Sequence, residues 1–540
     1  MVEHKVDGRH EGGHWDMRGG LAIGSFAVIA LFTLASLFAS RIEQPRQVIP
    51  QQTPRVEPPV LPSVEVWVST ADRRLRLARQ PDIAMSPRDT LPKGVVIDTR
   101  ATYQAMVGFG AAITDSSAWL IRNRMSETQR TALLRELFGP PPGLNLSMTR
   151  VTIGASDFSL QPYTLDDMPV GQTDPALEHF NVAPDVADVI PTVREALAIN
   201  PQLQVIASPW SAPAWMKSSG SLIQGGLLEP FESAFADYLV KYVEAFRSYG
   251  IPIFALTVQN EPAYEPATYP GMVVPAATRA RLIGQYLGPA LARRAPRTRI
   301  LEWDHNWDDP SQPLDVLADP DASRYVAGVA WHCYAGTPSA QSDVHRAYPG
   351  KDTYITECSG GDWASARNGE LLWFARDLLL AGVRNWARGV VYWNVALDEQ
   401  HGPHSGGCDL CKGLVTIDSR TGEVSRNDEY YAFAHFSRFV LPGARRLGSS
   451  ETEKGVNNVA FRNPGDESLV LVVVNSHADA RTLTVAEGTT GFQYQLPAQS
   501  VATFVWTPDP VGALIRRALR WLRSVQAAAS SARGPGAGVK

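Results

Sequence analysis

Between about Gly94 and Leu441 the chain repeatedly alternates a short apolar run with a longer stretch of helical periodicity. No other feature of the sequence narrows the fold as far. A short apolar run suits a strand buried on both faces, and a helix between runs is the connection that parallel strands need. The runs are Val107–Ile113, Leu146–Ile153, Gln204–Ser208, Ile253–Gln259, Arg299–Trp303, Val326–His332, Thr353–Thr356 and Gly389–Trp393. Helical stretches such as Phe231–Phe246 and Glu370–Val383 lie between them. Eight such units in about 350 residues predict an α/β fold, a (β/α)8 TIM barrel with enlarged loops over residues 97–440.

After Leu441 the period changes to two, in Val459–Phe461, Leu469–Asn475, Arg481–Val485 and Val501–Trp506. The early segment Val64–Ser69 shares that alternation. A side β-sandwich assembled from both flanks of the barrel, residues 63–96 and 441–508, is the expected second domain. A chain of 540 residues has room for two domains and tails. Its net charge of −5 gives no basic surface for a nucleic acid, so none is expected as a partner.

The tails carry membrane-like features. After a polar segment, residues 1–20, the run Leu21–Ala39 contains no charge and is flanked by Arg18 and Arg41. It reads as a signal anchor or as the core of a cleaved signal peptide, and either places the globular part outside the cytoplasm. Residues 40–62, rich in Pro and Gln, read as an extended tether. Within residues 509–526, Val511, Ile515, Ala518, Leu522 and Val525 share one helical face, while Arg516, Arg517, Arg520 and Arg523 take the other. Such a helix lies on an anionic membrane surface or docks on its own domain. Residues 527–540, rich in Ala, Ser and Gly, are expected to be disordered.

Function is read from the residues at and just beyond the ends of the apolar runs. The active end of a TIM barrel is the one where its strands end. The fourth run leads into Thr257-Val258-Gln259-Asn260-Glu261-Pro262, and the seventh into Thr356-Glu357. The first leads into Thr114-Asp115, the sixth into His332-Cys333-Tyr334, the eighth into Trp393-Asn394, and Trp210 comes just after the third. A Glu placed directly after an apolar strand is costly unless it is hydrogen-bonded or functional. A lone Asn-Glu-Pro is as readily a loop cap. Paired with Glu357 at the matching place, Glu261 makes a carboxylate pair among His, Asn, Tyr and Trp, which is a carbohydrate site. Cleaving a glycosidic bond needs one carboxyl group to protonate the leaving oxygen and a second to meet the charge at the anomeric carbon. Retention of configuration needs them about 5 Å apart. Acid, base and nucleophile then come from the chain, so no metal or organic cofactor is expected. The fourteen Trp residues fit a site that stacks sugars, although most of them serve the core.

Four cysteines are too few for a disulfide scaffold. Cys408 and Cys411, spaced CxxC in a Gly-rich loop, leave a local disulfide, free thiols and a metal ligand pair as alternatives. The state of Cys333 and Cys358 is open.

With these residues in view, the chain resembles glycoside hydrolase family 30, which includes acid glucosylceramidase and microbial relatives. The resemblance runs from about Ile97 to Trp506. It rests on Gly108-Phe109-Gly110-Ala111-Ala112-Ile113-Thr114-Asp115, on Ser208-Pro209-Trp210-Ser211-Ala212-Pro213-Ala214-Trp215-Met216-Lys217, and on Thr257 through Pro262. It is carried further by Trp393-Asn394-Val395-Ala396-Leu397-Asp398 and by Tyr430 through Ser437. It implies a barrel with a β-sandwich, Glu261 as acid/base and Glu357 as nucleophile. It further implies that Asp115, Trp210, Asn260 and Trp393 line the pocket for a terminal glucose. His332 and Tyr334 would position the nucleophile, and Arg150 would support it from the second strand. A structural role alone is the plainer alternative for Arg150 and His332.

The resemblance and the membrane-like tails together point first to a glucosylceramidase. The loop from His401 to Gly413 resembles microbial members instead, including enzymes that cut β-1,6-glucan. A surface or secreted endo-β-1,6-glucanase, or a β-glucosidase or β-xylosidase, is therefore the alternative. A catalytically silent glycan-binding protein is a third, of another class, weakened by the presence of both carboxylates.

Overall fold

The computed structural model describes residues 62–363 and 370–508. The expected features in residues 1–20, 21–39, 40–61, 509–526 and 527–540 lie outside the described residues. Eight parallel strands close into a barrel: β1 Gly108–Ala112, β2 Met148–Ile153, β3 Gln204–Pro209, β4 Ile253–Thr257, β5 Arg299–Asn306, β6 Val326–His332, β7 Asp352–Glu357 and β8 Ala387–Asn394. The TIM barrel read from the apolar runs is the observed fold. Inside the barrel, Met148, Ile206, Ala255, Leu301, Ala330, Tyr354 and Val391 form one buried cluster, a layer contributed by seven of the strands. Gly110 is needed where β1 meets β2, because a Cβ there would stand 1.7 Å from the Met148 carbonyl oxygen.

The second domain is a ten-stranded antiparallel-rich sheet in which the two flanks of the barrel interleave. Ser63–Thr70 pairs with Ala78–Ala84 on one side and with Ser500–Trp506 on the other, so the first and last strands of the domain are neighbours. In Leu469–Asn475 every residue is buried. Leu469, Leu471 and Val473 join the sandwich core, whereas Val470, Val472 and Val474 face the barrel's helices and join its core. The period of two thus serves two cores at once. Buried His435, on the helix Asp428–Ser437, bonds Ser69 and Thr503 at 2.9 and 2.8 Å and ties that helix to both flanks. Burial lowers its imidazole to about 3, so it stays neutral.

The sandwich also uses strands that the alternation did not reveal. Val95–Ala105 pairs with Arg445–Ser449 and with Arg481–Glu487, so the N-terminal flank continues to Ala105, past the expected boundary at residue 96. Both cysteine pairs are disulfides, Cys333–Cys358 and Cys408–Cys411.

Candidate active site

The site is built on a buried carboxylate just beyond the fifth apolar run, which the reading of strand ends passed over. Asp304, in β5, is fully buried and accepts hydrogen bonds from every side. Arg150 Nη2, Thr257 Oγ1 and Ser208 Oγ reach Asp304 Oδ2 at 2.8, 2.7 and 2.5 Å. Thr356 Oγ1 and His332 Nε2 reach Oδ1 at 2.6 and 3.1 Å. Burial alone would raise this carboxyl, but the Arg150 charge and the His332 and Ser208 hydrogen bonds hold it far below the usual range. It is a fixed anion on which two cations are oriented.

Arg150, in β2, is fully buried and spreads its guanidinium between strands. Nη1 donates to Glu357 Oε2 at 2.5 Å, and Nη2 also donates to Asn260 Oδ1 at 2.8 Å. Its carbon face lies over the Trp210 and Trp393 rings, 4.7 and 5.5 Å from their centroids. Those two indoles stack at 5.1 Å with 17° between planes. His332, at the end of β6, turns Nδ1 to Glu261 Oε1 at 3.1 Å. Burial would lower His332, but the Glu357 charge and the bonds to Asp304 and Glu261 raise it to about 9. At neutral pH it is an imidazolium that donates from both nitrogens.

Glu357 ends β7 and is almost wholly buried, its second oxygen accepting from Tyr334 Oη at 2.9 Å. Glu261 follows β4 with a left-handed φ of 48°, held there by its N–H donating to the Asp304 carbonyl at 3.0 Å. Trp303 and Asp304 are also left-handed, at 77° and 58°. Three non-glycine residues in this region at one site are strain retained by the hydrogen-bond network around them. His332 Nδ1 lies 3.1 Å from Glu261 Oε1 and 3.9 Å from Glu357 Oε1, which brings those oxygens within about 7 Å of each other. A retaining pair satisfies that bound.

The two carboxyls titrate as a set with their neighbours. Burial raises Glu357 above the usual range despite the pull of His332 and Arg150. Burial opposes, but does not outweigh, the His332 hydrogen bond and the His332 and His305 charges that bring Glu261 below it. The chain's own groups therefore hold a proton on Glu357 more firmly than on Glu261.

Both carboxylates open on one pocket of about 390 Å3, whose wall includes Asp157, Tyr334, Trp393 and both cysteines of the Cys408–Cys411 disulfide. Asn260, next to Glu261, is buried, and its amide nitrogen makes no hydrogen bond to the described residues. Trp210, Arg150 and His332 stand behind this wall, not on it.

Asp115 and Trp210, both expected to line the pocket, are absent from its wall. Thr114 caps the helix Asp115–Asn123, and this turn carries the Asp115 side chain behind the β2 loop. There Asp115 Oδ2 accepts from Ser159 Oγ at 2.6 Å and Tyr163 Oη at 2.9 Å. Burial raises it to about 6. The acidic residue that lines the pocket is Asp157, on that same loop, where burial and the charge of Glu357 raise its carboxyl well above the usual range. The signal for it was present: Asp157 closely follows a barrel strand, as Asp304 lies at the end of another. His305, 3.6 Å from Glu261 through Nδ1, was likewise missed. Glu261, His305 and His332 offer ligand atoms within 4.8 Å of one another, a spacing that suits a metal. One pair of those atoms is already joined by a hydrogen bond, and glycosidic cleavage by two carboxyls needs no ion.

A parallel barrel whose strand ends present a carboxylate pair and a Trp on one pocket defines a glycoside hydrolase. The chain belongs to glycoside hydrolase family 30. The family's TIM-barrel domain matches residues 106–440 and its beta sandwich domain residues 443–504. An endo-1,6-beta-D-glucanase of Aspergillus fumigatus is 38% identical over 431 residues, covering 74% of this chain and 85% of that protein. The lysosomal acid glucosylceramidase of Mus musculus is 29% identical over 430 residues, covering 75% and 81%. The solved endo-beta1,6-glucanase BT3312 superposes with a TM-score of 0.77 at 33% identity, covering 82% of this chain and 99% of that one.

Proposed function

We propose that this β-glycosidase is a retaining endo-β-1,6-glucanase, with Glu261 as acid/base and Glu357 as nucleophile. The observation that carries the substrate is the identity of 38% with a β-1,6-glucanase, against 29% with a glucosylceramidase. The His401–Gly413 loop supports the same choice, since its Gly407, Cys408 and Cys411 form pocket wall. The glucosylceramide reading, placed first from the family resemblance and the tails, becomes the second.

In the first step a Glu357 oxygen attacks the anomeric carbon while Glu261 gives its proton to the glycosidic oxygen. The carbon–oxygen bond to the leaving chain breaks, and a glycosyl ester to Glu357 forms. Glu261, now a carboxylate, takes a proton from water, whose oxygen displaces Glu357 and restores the original configuration. Arg150 and Tyr334 hold the Glu357 anion in line. The chain's own charges favour the proton on Glu357, whereas acid catalysis needs it on Glu261. Positive charge growing at the anomeric carbon favours the Glu357 anion, and an anionic Glu357 in turn raises Glu261. His332 keeps the Glu261 carboxyl pointed at the leaving oxygen. Two disulfides and the apolar run before the catalytic domain support work outside the cytoplasm, where glucans lie.

Purified protein should shorten β-1,6-glucan to oligosaccharides, with the first product formed as the β-anomer by proton NMR. Glu357→Gln should abolish the reaction. Glucose released from glucosylceramide with no cleavage of the glucan would reject the substrate, and a first-formed α-anomer would reject the mechanism.

A further inference from the structure

The mouth of the pocket carries aromatic surface that terminal-glucose binding does not use. Trp363 is 53% exposed and Tyr264 48% exposed, yet both line the pocket that holds the carboxylates. Each sits on the loop that comes after one of them: Tyr264 beyond Glu261 and Trp363 beyond Glu357. A large apolar ring left in water costs solvation and is normally covered, so two at one opening mark a binding surface.

The backbone that leads into Trp363 is anchored. A Cβ on Gly361 would stand 2.1 Å from Trp363 Cζ3 and 2.4 Å from the Leu410 carbonyl oxygen. Glycine there lets the indole lie back against the backbone. The short pairing of Gly360–Gly361 with Cys411–Lys412 fixes the segment, and Asp362 N–H donates to the Leu410 carbonyl at 2.9 Å. The Asp362 carboxylate meets Lys412 Nζ and, at 3.0 Å, His401 Nε2. The partner segment is closed by the Cys408–Cys411 disulfide. A ring carried on an anchored backbone loses less conformational freedom on binding, which favours a stacking surface.

Resting on the glucan reading above, we propose that Trp363 is a specificity-determining platform on which a second glucosyl unit of the chain stacks, outside the pocket for the cleaved residue. The ring's exposed face takes the C–H face of a pyranose. A substrate with one sugar has no second pyranose to place on it. The enzyme therefore gains from chain length through this residue.

The test compares kcat/KM for a β-1,6-linked glucotetraose with that for an aryl β-glucoside, in the full chain, Trp363→Ala and Trp363→Phe. The tetraose-to-aryl ratio should fall about tenfold in Trp363→Ala and recover most of the way in Trp363→Phe. Because a ratio is read, loss of folded protein cancels. A wild-type enzyme that cleaves the tetraose while the ratio stays constant overturns this inference alone. A wild-type enzyme that ignores the tetraose overturns the glucan reading and the platform with it. Activity on glucosylceramide that falls in Trp363→Ala while the tetraose is unaffected also overturns the platform, since the indole then serves a lipid.

Discussion

Neutralising Glu261 reads out the electrostatic bond between the two carboxyls directly. Glu261→Gln removes one negative charge and keeps the shape of the group that accepts from His332 Nδ1 at 3.1 Å. At the largest separation the His332 distances allow, about 7 Å, two unit charges repel by about 2.4 kcal/mol with an effective dielectric constant of about 20. That equals about 1.7 pH units on the Glu357 pKa, and more if the oxygens are closer. The sign comes from the role. Glu357 must be ionised to attack, so activity falls as pH drops through its pKa, and losing a like-charged neighbour lowers that pKa. With 2,4-dinitrophenyl β-glucoside, whose leaving group needs no proton, the acid limb of kcat/KM should move down by about 1.7 units or more. Added azide should restore turnover and give a β-glucosyl azide. On an alkyl β-glucoside, whose leaving oxygen does need a proton, the same variant should lose nearly all activity, because Gln has none to give. An unmoved acid limb would mean the carboxyls do not share one field, and full activity on the alkyl glucoside would mean that Glu261 is not the acid.

Other perturbations test the supporting network. Arg150→Met leaves Asp304 and Glu357 buried without their cation, so unfolding should cost about 3–5 kcal/mol less; an unchanged urea midpoint would show that Arg150 is dispensable to the fold. Tyr334→Phe removes the 2.9 Å donor to Glu357, and since Tyr334 is half exposed and water can replace it, kcat should fall only about tenfold, with the acid limb moving up; no change in either would dismiss the contact. Glu429, fully buried, has neither side-chain oxygen hydrogen-bonded among the described residues, and burial together with the Glu370 charge raises it to about 8. The native state therefore binds more protons here than the unfolded chain, and the stability this group contributes falls as pH rises from its ordinary value of 4.5 towards 8. Glu429→Gln should raise Tm at pH 8 and leave it nearly unchanged at pH 5; an equal shift at both would place its proton elsewhere.

Apolar runs gave away the barrel strands because a parallel strand is buried on both faces and must be apolar along its length. The strand Val95–Ala105 escaped notice because it is half exposed, so pairing with Arg445–Ser449 and Arg481–Glu487, not a hydrophobic period, makes it a strand. Glu261, Glu357, Trp393 and Tyr334 were legible because they lie at or just beyond strand ends, where the barrel directs residues to its mouth. Asp115 lies at such a place too, but the helix begun at Thr114 rotates it out, and Asp157 from the neighbouring loop takes the pocket position.

What the sequence determined by itself is the class of chemistry: two glutamates after parallel strands, in a chain patterned to close into a barrel. What tertiary structure decided is which groups share a field. Asp304, Arg150 and His332 come from three strands, each an ordinary polar residue in its own segment, and only barrel closure brings them within hydrogen-bond distance. Coulomb energy depends on separation and burial, neither of which is written in the order of residues along one strand.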